Sequence, residues 1–346
     1  MLKKALIIGA SHFLGAHLAK RLIRLGFKVT ALVDVNDKIW RLMDVLDVLE
    51  IKRADFFAPQ ELCKIVSQYT PGYIFYVSSY GEKEHQTNKK MIQYFNFTLM
   101  KEIFDELSET GFETFIYIGS YLEQLALNTP NPNHAAATTN CSHTTKECYP
   151  PNILEYGSAK NLATKYLAKE AISCGLPIYS IRPYFTYGPY FSCRTAFGKL
   201  MLNAGLRNRL ELNHEFINRD FVHVRDFVNF AVAITMLKPR NKVIFDCGSG
   251  FTVSAQDIVN TLAAYLPKLN LKLVDYSQCY CANYLNLAPA DIAINKEVVP
   301  SWEPTITLDF GIKDIVGWVT RNTILYREFF QEEADKDNKF YFPWML

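Results

Sequence analysis

Lys4-Ala5-Leu6-Ile7-Ile8-Gly9-Ala10-Ser11-His12-Phe13-Leu14-Gly15 is the stretch on which the fold turns. Lys4 to Ile8 has the length and apolar content of a buried strand, and Leu14 to Leu25 has the spacing of an amphipathic helix. A strand, a glycine turn and a helix in that order set an anion against a helix N-terminus, where unpaired amides favour negative charge. Gly9 permits the tight turn, and Gly15 lets helix and sheet approach closely. The second strand, Lys28 to Val33, ends in Asp34, about 20 residues beyond the glycines as a dinucleotide site requires. A carboxylate there binds both hydroxyls of an adenosine ribose and repels a 2′-phosphate, so NAD is expected rather than NADP.

The alternation continues outward. Val48 to Asp55 reads as a third strand; Asp55 either meets the adenine amino group or closes an ordinary strand-end turn. Tyr73 to Ser79 is a fourth strand, Asn88 to Glu109 a long helix, Thr114 to Ser120 a fifth strand and Leu176 to Arg182 a sixth. The class is α/β, a doubly wound parallel sheet, in which ligands bind at the carboxyl ends of the strands. Leu127 to Asn152, rich in Pro, Asn and Thr, is expected to be a loop.

Composition excludes several classes of function. Lys and Arg total 37 and Asp and Glu total 35, a balance that points to neither nucleic acid nor an anionic membrane as partner. No apolar run reaches the roughly 18 residues of a membrane span. Met1-Leu2-Lys3-Lys4 leads directly into the first strand without a signal-peptide core, so a cytoplasmic chain is expected. The 8 cysteines are scattered and read as reduced thiols. His134, Cys141, His143 and Cys148 match no standard ligand spacing, so no metal is expected, and that segment reads as a polar loop. At 346 residues, one large or two interlocked domains are expected.

Leu154-Glu155-Tyr156-Gly157-Ser158-Ala159-Lys160 carries the chemistry. A spacing of four stacks Tyr156 and Lys160 on one helix face. A phenol titrates near ~10 and is a poor base at neutral pH. An adjacent ammonium favours the phenolate, so the pair is expected to shuttle a proton for an alcohol being oxidised or a ketone being reduced.

These pieces, with Arg182-Pro183-Tyr184-Phe185-Thr186-Tyr187-Gly188-Pro189, Arg219-Asp220-Phe221-Val222-His223 and Trp302-Glu303-Pro304, stand in an order that resembles the extended short-chain dehydrogenase/reductases of the NAD-dependent epimerase/dehydratase family. The resemblance covers Lys4 to about Arg321 and implies a Rossmann-like doubly wound parallel sheet with a smaller C-terminal substrate-binding α/β region. It divides the chain into an NAD-binding domain over 1–185, to which 221–262 returns, a nucleotide-sugar region over 186–220 and 263–330, and a tail over 331–346.

Roles follow from the resemblance position by position. Tyr156 is the acid/base, Lys160 holds the nicotinamide ribose and depresses the tyrosine pKa, and Ser120 bonds the reacting sugar oxygen. NAD is held by Gly9, Ser11, His12, Phe13, Leu14 and Gly15 along the phosphate turn. Asp34, Asp55 and Phe56 hold its adenosine, and Val77, Ser78 and Tyr184 complete the site. Tyr121, Thr186 and Arg219 join Ser120 on the nucleoside-diphosphate sugar, Arg219 as a guanidinium fork on the diphosphate. Asn96 has a structural role, and His223 reads as a packed strand residue. Relatives often pair through the helices at 88–109 and 158–174, which leaves a homodimer open.

The chain departs from the family pattern in three places. His12 replaces the middle glycine of the phosphate turn, where its β-carbon either weakens contact or its imidazole lies along the phosphates. Thr186 replaces an Asn. Tyr121-Leu122 replaces the Asp-Glu pair of relatives that eliminate water across C5–C6, with Glu123 one place further on, which argues against a 4,6-dehydratase. The expectation is hydride transfer at a carbinol or ketone, at C4, by a 4-epimerase or a 4-keto-reductase. The alternative is a non-catalytic NAD-binding sensor or scaffold on the same fold.

Overall fold

The strand β1 (Lys4–Ile8) is an interior strand of a seven-stranded parallel sheet. The computed structural model describes residues 3–69, 72–82, 86–128, 151–192, 195–213, 218–238, 242–274 and 288–325. From β1 the chain passes through α1 (Phe13–Arg24) to β2 (Lys28–Asp34), then to β3 (Glu50–Ala54), α2 (Pro59–Val66) and β4 (Tyr73–Tyr76). Next come α3 (Lys89–Gln93), a π turn at Tyr94–Thr98, α4 (Leu99–Thr110), β5 (Thr114–Ile118), α5 (Glu123–Asn128), α6 (Pro151–Cys174) and β6 (Ile178–Pro183). A second unit takes up β7 (Phe185–Tyr187), α7 (Ala196–Arg207), β8 (Arg209–Asn213) and β9 (Phe221–His223). The chain returns to the first unit with α8 (Val224–Ile234) and β10 (Ile244–Cys247). It leaves again for α9 (Ala255–Tyr265) and β11 (Asn270–Val274), contributes α10 (Ala293–Val298) to the first unit, and ends its described course in α11 (Leu308–Arg321).

The first unit comprises Met1–Tyr184, Val224–Cys247 and Asp291–Glu303. Its sheet order is β10-β6-β5-β4-β1-β2-β3, with all pairs parallel. The order reverses between β1 and β4, which is where such sheets open a crevice at their carboxyl edge. Ile7, Ile8, Leu32, Ile74 and Ile116 are fully buried in its core, each contributing about 1.5–3 kcal/mol by leaving water. This is the expected doubly wound α/β sheet. The segment 248–262, expected with it, lies in the second unit, and 291–303, expected with the substrate region, lies in the first.

The second unit comprises Phe185–His223, Gly248–Ala290 and Pro304–Leu346. Within it β7 pairs with β9 and β8 with β11, both parallel, so it is also α/β. Its aromatic cluster includes half-buried Phe185 and buried Phe221, whose rings lie 4.5 Å apart.

Local structure corrects several expected boundaries. The helix over 88–109 is interrupted by the π turn, whose register shift leaves carbonyls without their usual partners. Asn96 repairs one by donating Nδ2 to Ile92 O at 2.8 Å and reaches Tyr80 O at 2.6 Å. Tyr76 donates to Phe95 O at 2.7 Å and Tyr117 to Asn96 O at 2.9 Å, so two sheet tyrosines close the rest. At the expected loop over 127–152, Leu127 and Asn128 end α5 while Pro151 and Asn152 begin α6. Residues 129–150, with His134, Cys141, His143 and Cys148, lie outside the described residues, as does the tail from 326. Among the described residues no helix is long and apolar enough to cross a membrane, and no group of three or more His, Cys, Asp or Glu is placed to hold a metal.

Candidate active site

At the switch point the turn after β1 faces the end of β4. Gly9 has φ +86°, and a β-carbon on it would lie 2.7 Å from Ser78 N; one on Gly15 would lie 2.5 Å from Gly9 O. Both glycines are therefore required by packing, and Val77 and Ser78 are buried against the turn. His12 is the N-cap of α1 but makes no side-chain cap, and the first turn carries no acid. The leading amides of Phe13, Leu14 and Gly15 are thus left to an anion from outside, the arrangement a pyrophosphate needs.

The surrounding side chains form a polar web. Ser11 donates its hydroxyl to Asp37 Oδ2, and the His12 imidazole stands 3.9 Å from the same carboxylate. The His12 imidazole thus lies on the Asp37 side of the turn. Asp34 accepts Asn36 N–H at 2.9 Å and Phe56 N–H at 3.0 Å. Those bonds aim the carboxylate and leave it capacity for two further donors. Asp55 is exposed and accepts Phe57 N–H at 2.9 Å, a bond compatible with both readings offered for it. Phe56 has its ring in the core; only its backbone reaches this edge.

Further along the edge, past β5, the catalytic candidates converge. Ser120, Tyr156 and Lys160 are all buried, at 6%, 5% and 1% exposure. The Ser120 hydroxyl accepts Leu122 N–H at 3.2 Å, as a capping serine would, and also hydrogen-bonds Tyr156. Lys160 Nζ donates to Ile118 O at 2.7 Å and lies 4.7 Å from the centre of the Tyr117 ring and 5.8 Å from that of Tyr156. A buried ammonium needs such a carbonyl and such π faces to offset lost hydration.

The electrostatics correct one expectation. Burial pushes the Tyr156 phenol well above its ordinary range; Glu82 and Glu123 push it further the same way, and the Ser120 hydrogen bond only partly opposes them. Burial also pushes Lys160 down to about 8, with Glu123 and Glu82 holding it up. The ammonium was expected to depress the phenol, but desolvation dominates. At neutral pH the pair is phenol and ammonium, the state that donates a proton.

Tyr121 stacks on Tyr184 with ring centres 5.5 Å apart, and Gln124 donates to the Tyr184 hydroxyl at 2.7 Å. Sequence reasoning passed over two members of this neighbourhood. Tyr117 is an apolar-looking strand residue whose ring faces a cation. Glu123 was noted for its place but given no role, and it is fully buried.

The second unit holds Thr186 and Arg219. Thr186 lies on β7 opposite Val222, and buried Arg219 is fixed by a two-way backbone bridge to Val253 at 3.0 and 2.7 Å. Next to it, Asp220 gathers Ser249 N–H at 2.6 Å, Ser249 O–H at 2.7 Å, Gly250 N–H at 3.0 Å and Ala290 N–H at 3.0 Å. His223 is buried, 3.6 Å from Asp314 and edge-on to Tyr187, a packed strand residue as expected.

The family model described as the NAD dependent epimerase/dehydratase family matches residues 5–248. The chain belongs to that family. NAD is accordingly its cofactor, and the uncapped α1 terminus and the Gly9–Gly15 turn fit a dinucleotide. Epimerase Mth375 from Methanothermobacter thermautotrophicus superposes with a TM-score of 0.76 at 18% identity, covering 94% of this chain and 95% of that one. A UDP-glucose 4-epimerase from Thermotoga maritima, solved with UDP-glucose, gives 0.73 at 19% identity over 93% and 99%. A dTDP-glucose 4,6-dehydratase from Bacillus anthracis, solved with NAD, gives 0.70 at 15% over 93% and 98%. At these identities the likeness is one of fold.

Proposed function

We propose that the protein is an NAD-dependent oxidoreductase acting by hydride transfer at C4 of a nucleoside-diphosphate sugar, as a 4-epimerase or a 4-keto-reductase. The observation that carries this reading is the joint burial of Ser120, Tyr156 and Lys160 past the carboxyl end of β5, on the same sheet edge as the Gly9–Gly15 turn. NAD, when bound, would supply the hydride acceptor and, in its reduced form, the hydride donor. Tyr156 moves the proton of the reacting oxygen, Ser120 holds that oxygen by a hydrogen bond, and Lys160 grips the nicotinamide ribose and keeps the site positive. Gly9, Ser11, His12, Phe13, Leu14 and Gly15 bind the dinucleotide phosphates, Asp34 its adenosine ribose, and Arg219 the diphosphate of the sugar nucleotide.

Two observations disfavour elimination across C5–C6. The position after Ser120 is an aromatic ring stacked on Tyr184, and the next, Leu122, is a buried aliphatic. Neither supplies the acid and base that loss of water demands. The test is product analysis with a panel of nucleotide sugars. A 4-epimerase turns over with catalytic NAD, whereas a keto-reductase consumes NADH one for one. A chain that binds NAD in calorimetry but no sugar nucleotide would be a sensor, and the reading would fall.

A further inference from the structure

Glu123 sits at the start of α5, three residues past Ser120, with no exposed surface. Its Oε1 accepts the Ser120 N–H at 2.9 Å. Gly119 makes room for it, since a β-carbon there would lie 2.3 Å from that oxygen. Oε2 is buried among the described residues with no well-formed hydrogen bond, its neighbour the Thr164 hydroxyl lying near enough to favour the carboxylate without closing one. The cation nearest to hand, Arg182, already has a carboxylate of its own: it is held by Asp246 through bonds of 2.7 and 2.8 Å. Lys160 has none in contact among the described residues; its Nζ is held by the Ile118 carbonyl at the same end of β5. Among the described residues, one buried carboxylate without a cation in contact and one buried ammonium without an anion in contact thus bracket the Ser120 backbone.

We propose that Glu123 is the buried counter-ion of Lys160, a positioning residue that keeps the ammonium charged and fixes the Ser120 backbone beside Tyr156. The proposal rests on the functional reading above for its catalytic consequence, though the charge coupling itself does not. Burial pushes Glu123 up to about 7 against the Ser120 N–H, Arg182, Thr164 and Lys160, which pull it down. Lys160 faces Glu123, Glu82 and the rings of Tyr117 and Tyr156. Each group's charge favours the ionised form of the other, against a burial that disfavours both.

The sign of the effect follows. Glu123 raises both Lys160 and Tyr156. Removing its charge lowers both, so the whole pH profile of turnover moves toward acid. Glu123→Gln keeps the bond to Ser120 and loses the charge; Glu123→Asp keeps the charge and draws back from Ser120. The alkaline limb of kcat/KM is expected to move down by about one pH unit in Glu123→Gln and to stay in place in Glu123→Asp, which loses rate at every pH instead. An unmoved limb in Glu123→Gln, or equal movement in both, overturns the proposal.

A second readout needs no substrate. In the full-length chain carrying 13Cε-lysine, with and without NAD, the Lys160 signal (assigned with Lys160→Arg) is expected to titrate lower in Glu123→Gln. No shift overturns the pair. A shift without turnover on any sugar nucleotide overturns the functional reading and leaves the pair standing. Should Glu123→Gln not fold, the double variant Glu123→Gln/Lys160→Met decides: a counter-ion pair makes it melt higher than either single change, and additive losses refute it.

Discussion

The turn at Gly9–Gly15 and the cluster of Ser120, Tyr156 and Lys160 lie along one edge of one sheet, yet they are built on opposite principles. The turn works through backbone. Its glycines are required by contacts of 2.5–2.7 Å that any side chain would fill, and the His12 side chain does not cap the leading amides of α1. Polar side chains around it, such as His12 and Asp37, are half exposed and their charges are screened by water. The cluster works through buried side chains whose ionisation is set by lost hydration and by a few neighbouring charges. Geometry governs the first region and electrostatics the second, so changes in the two should fail in different ways.

The largest expected effect is in the cluster. Tyr156→Phe removes the proton carrier and should reduce turnover by roughly 10²–10⁴-fold. Calorimetric affinity for NAD should stay within about threefold, because the turn is untouched; near wild-type turnover would sink the mechanism. Gly9→Val is the counterpart in the turn. A β-branched residue at φ +86°, driven into the Ser78 backbone, should cost about 2–4 kcal/mol of stability by thermal melting. It should also cost most of the NAD affinity. If Gly9→Val proves too unstable to assay, Gly9→Ala should show the same direction.

The pH profile separates the two regions without any mutation. Lys160 is lowered to about 8, so kcat/KM should hold through neutrality and fall about tenfold per unit once pH rises past that value. The sign is that of a group needed in its protonated form: activity is present below the pKa and lost above it. NAD affinity, carried mainly by backbone amides and Asp34 with Lys160 contributing only at the nicotinamide ribose, should change by less than about threefold from about pH 7 to about pH 9, across the fall in kcat/KM. A common pH dependence for both would show that the regions are not independent.

How much of this was legible in the sequence follows the same divide. Strand, turn, helix and Asp34 could be read because their signals are spacings and residue types that act locally. Tyr156 and Lys160 could be read because a separation of four fixes one helix face. The direction of the Tyr156 shift could not, because it depends on burial by segments far apart in the chain, with Glu82 arriving from the turn after β4 and Glu123 from the start of α5. The break in the helix at Tyr94–Thr98 was equally hidden, since its compensating bonds come from Tyr76 and Tyr117 on other strands. Glu123 carried a signal, an acid three residues past Ser120, but only its burial gives that signal meaning.

The smallest expected effect bears on the departure that sequence alone left open. A β-carbon at position 12 stands where a glycine would let the backbone touch pyrophosphate. The imidazole, however, is drawn to Asp37 at 3.9 Å, a surface contact worth about 0–1 kcal/mol. His12→Gly would lose that contact and gain backbone freedom in the unfolded chain, both small costs to stability. It would also relieve whatever crowding the β-carbon causes. These effects offset, so NAD affinity measured by calorimetry should change by no more than about threefold, equivalent to about 0.7 kcal/mol. A tenfold gain would mean that the β-carbon obstructs the phosphates. A tenfold loss would mean that the imidazole leaves Asp37 to bind them, and the turn would then share the side-chain electrostatics of the cluster rather than contrast with it.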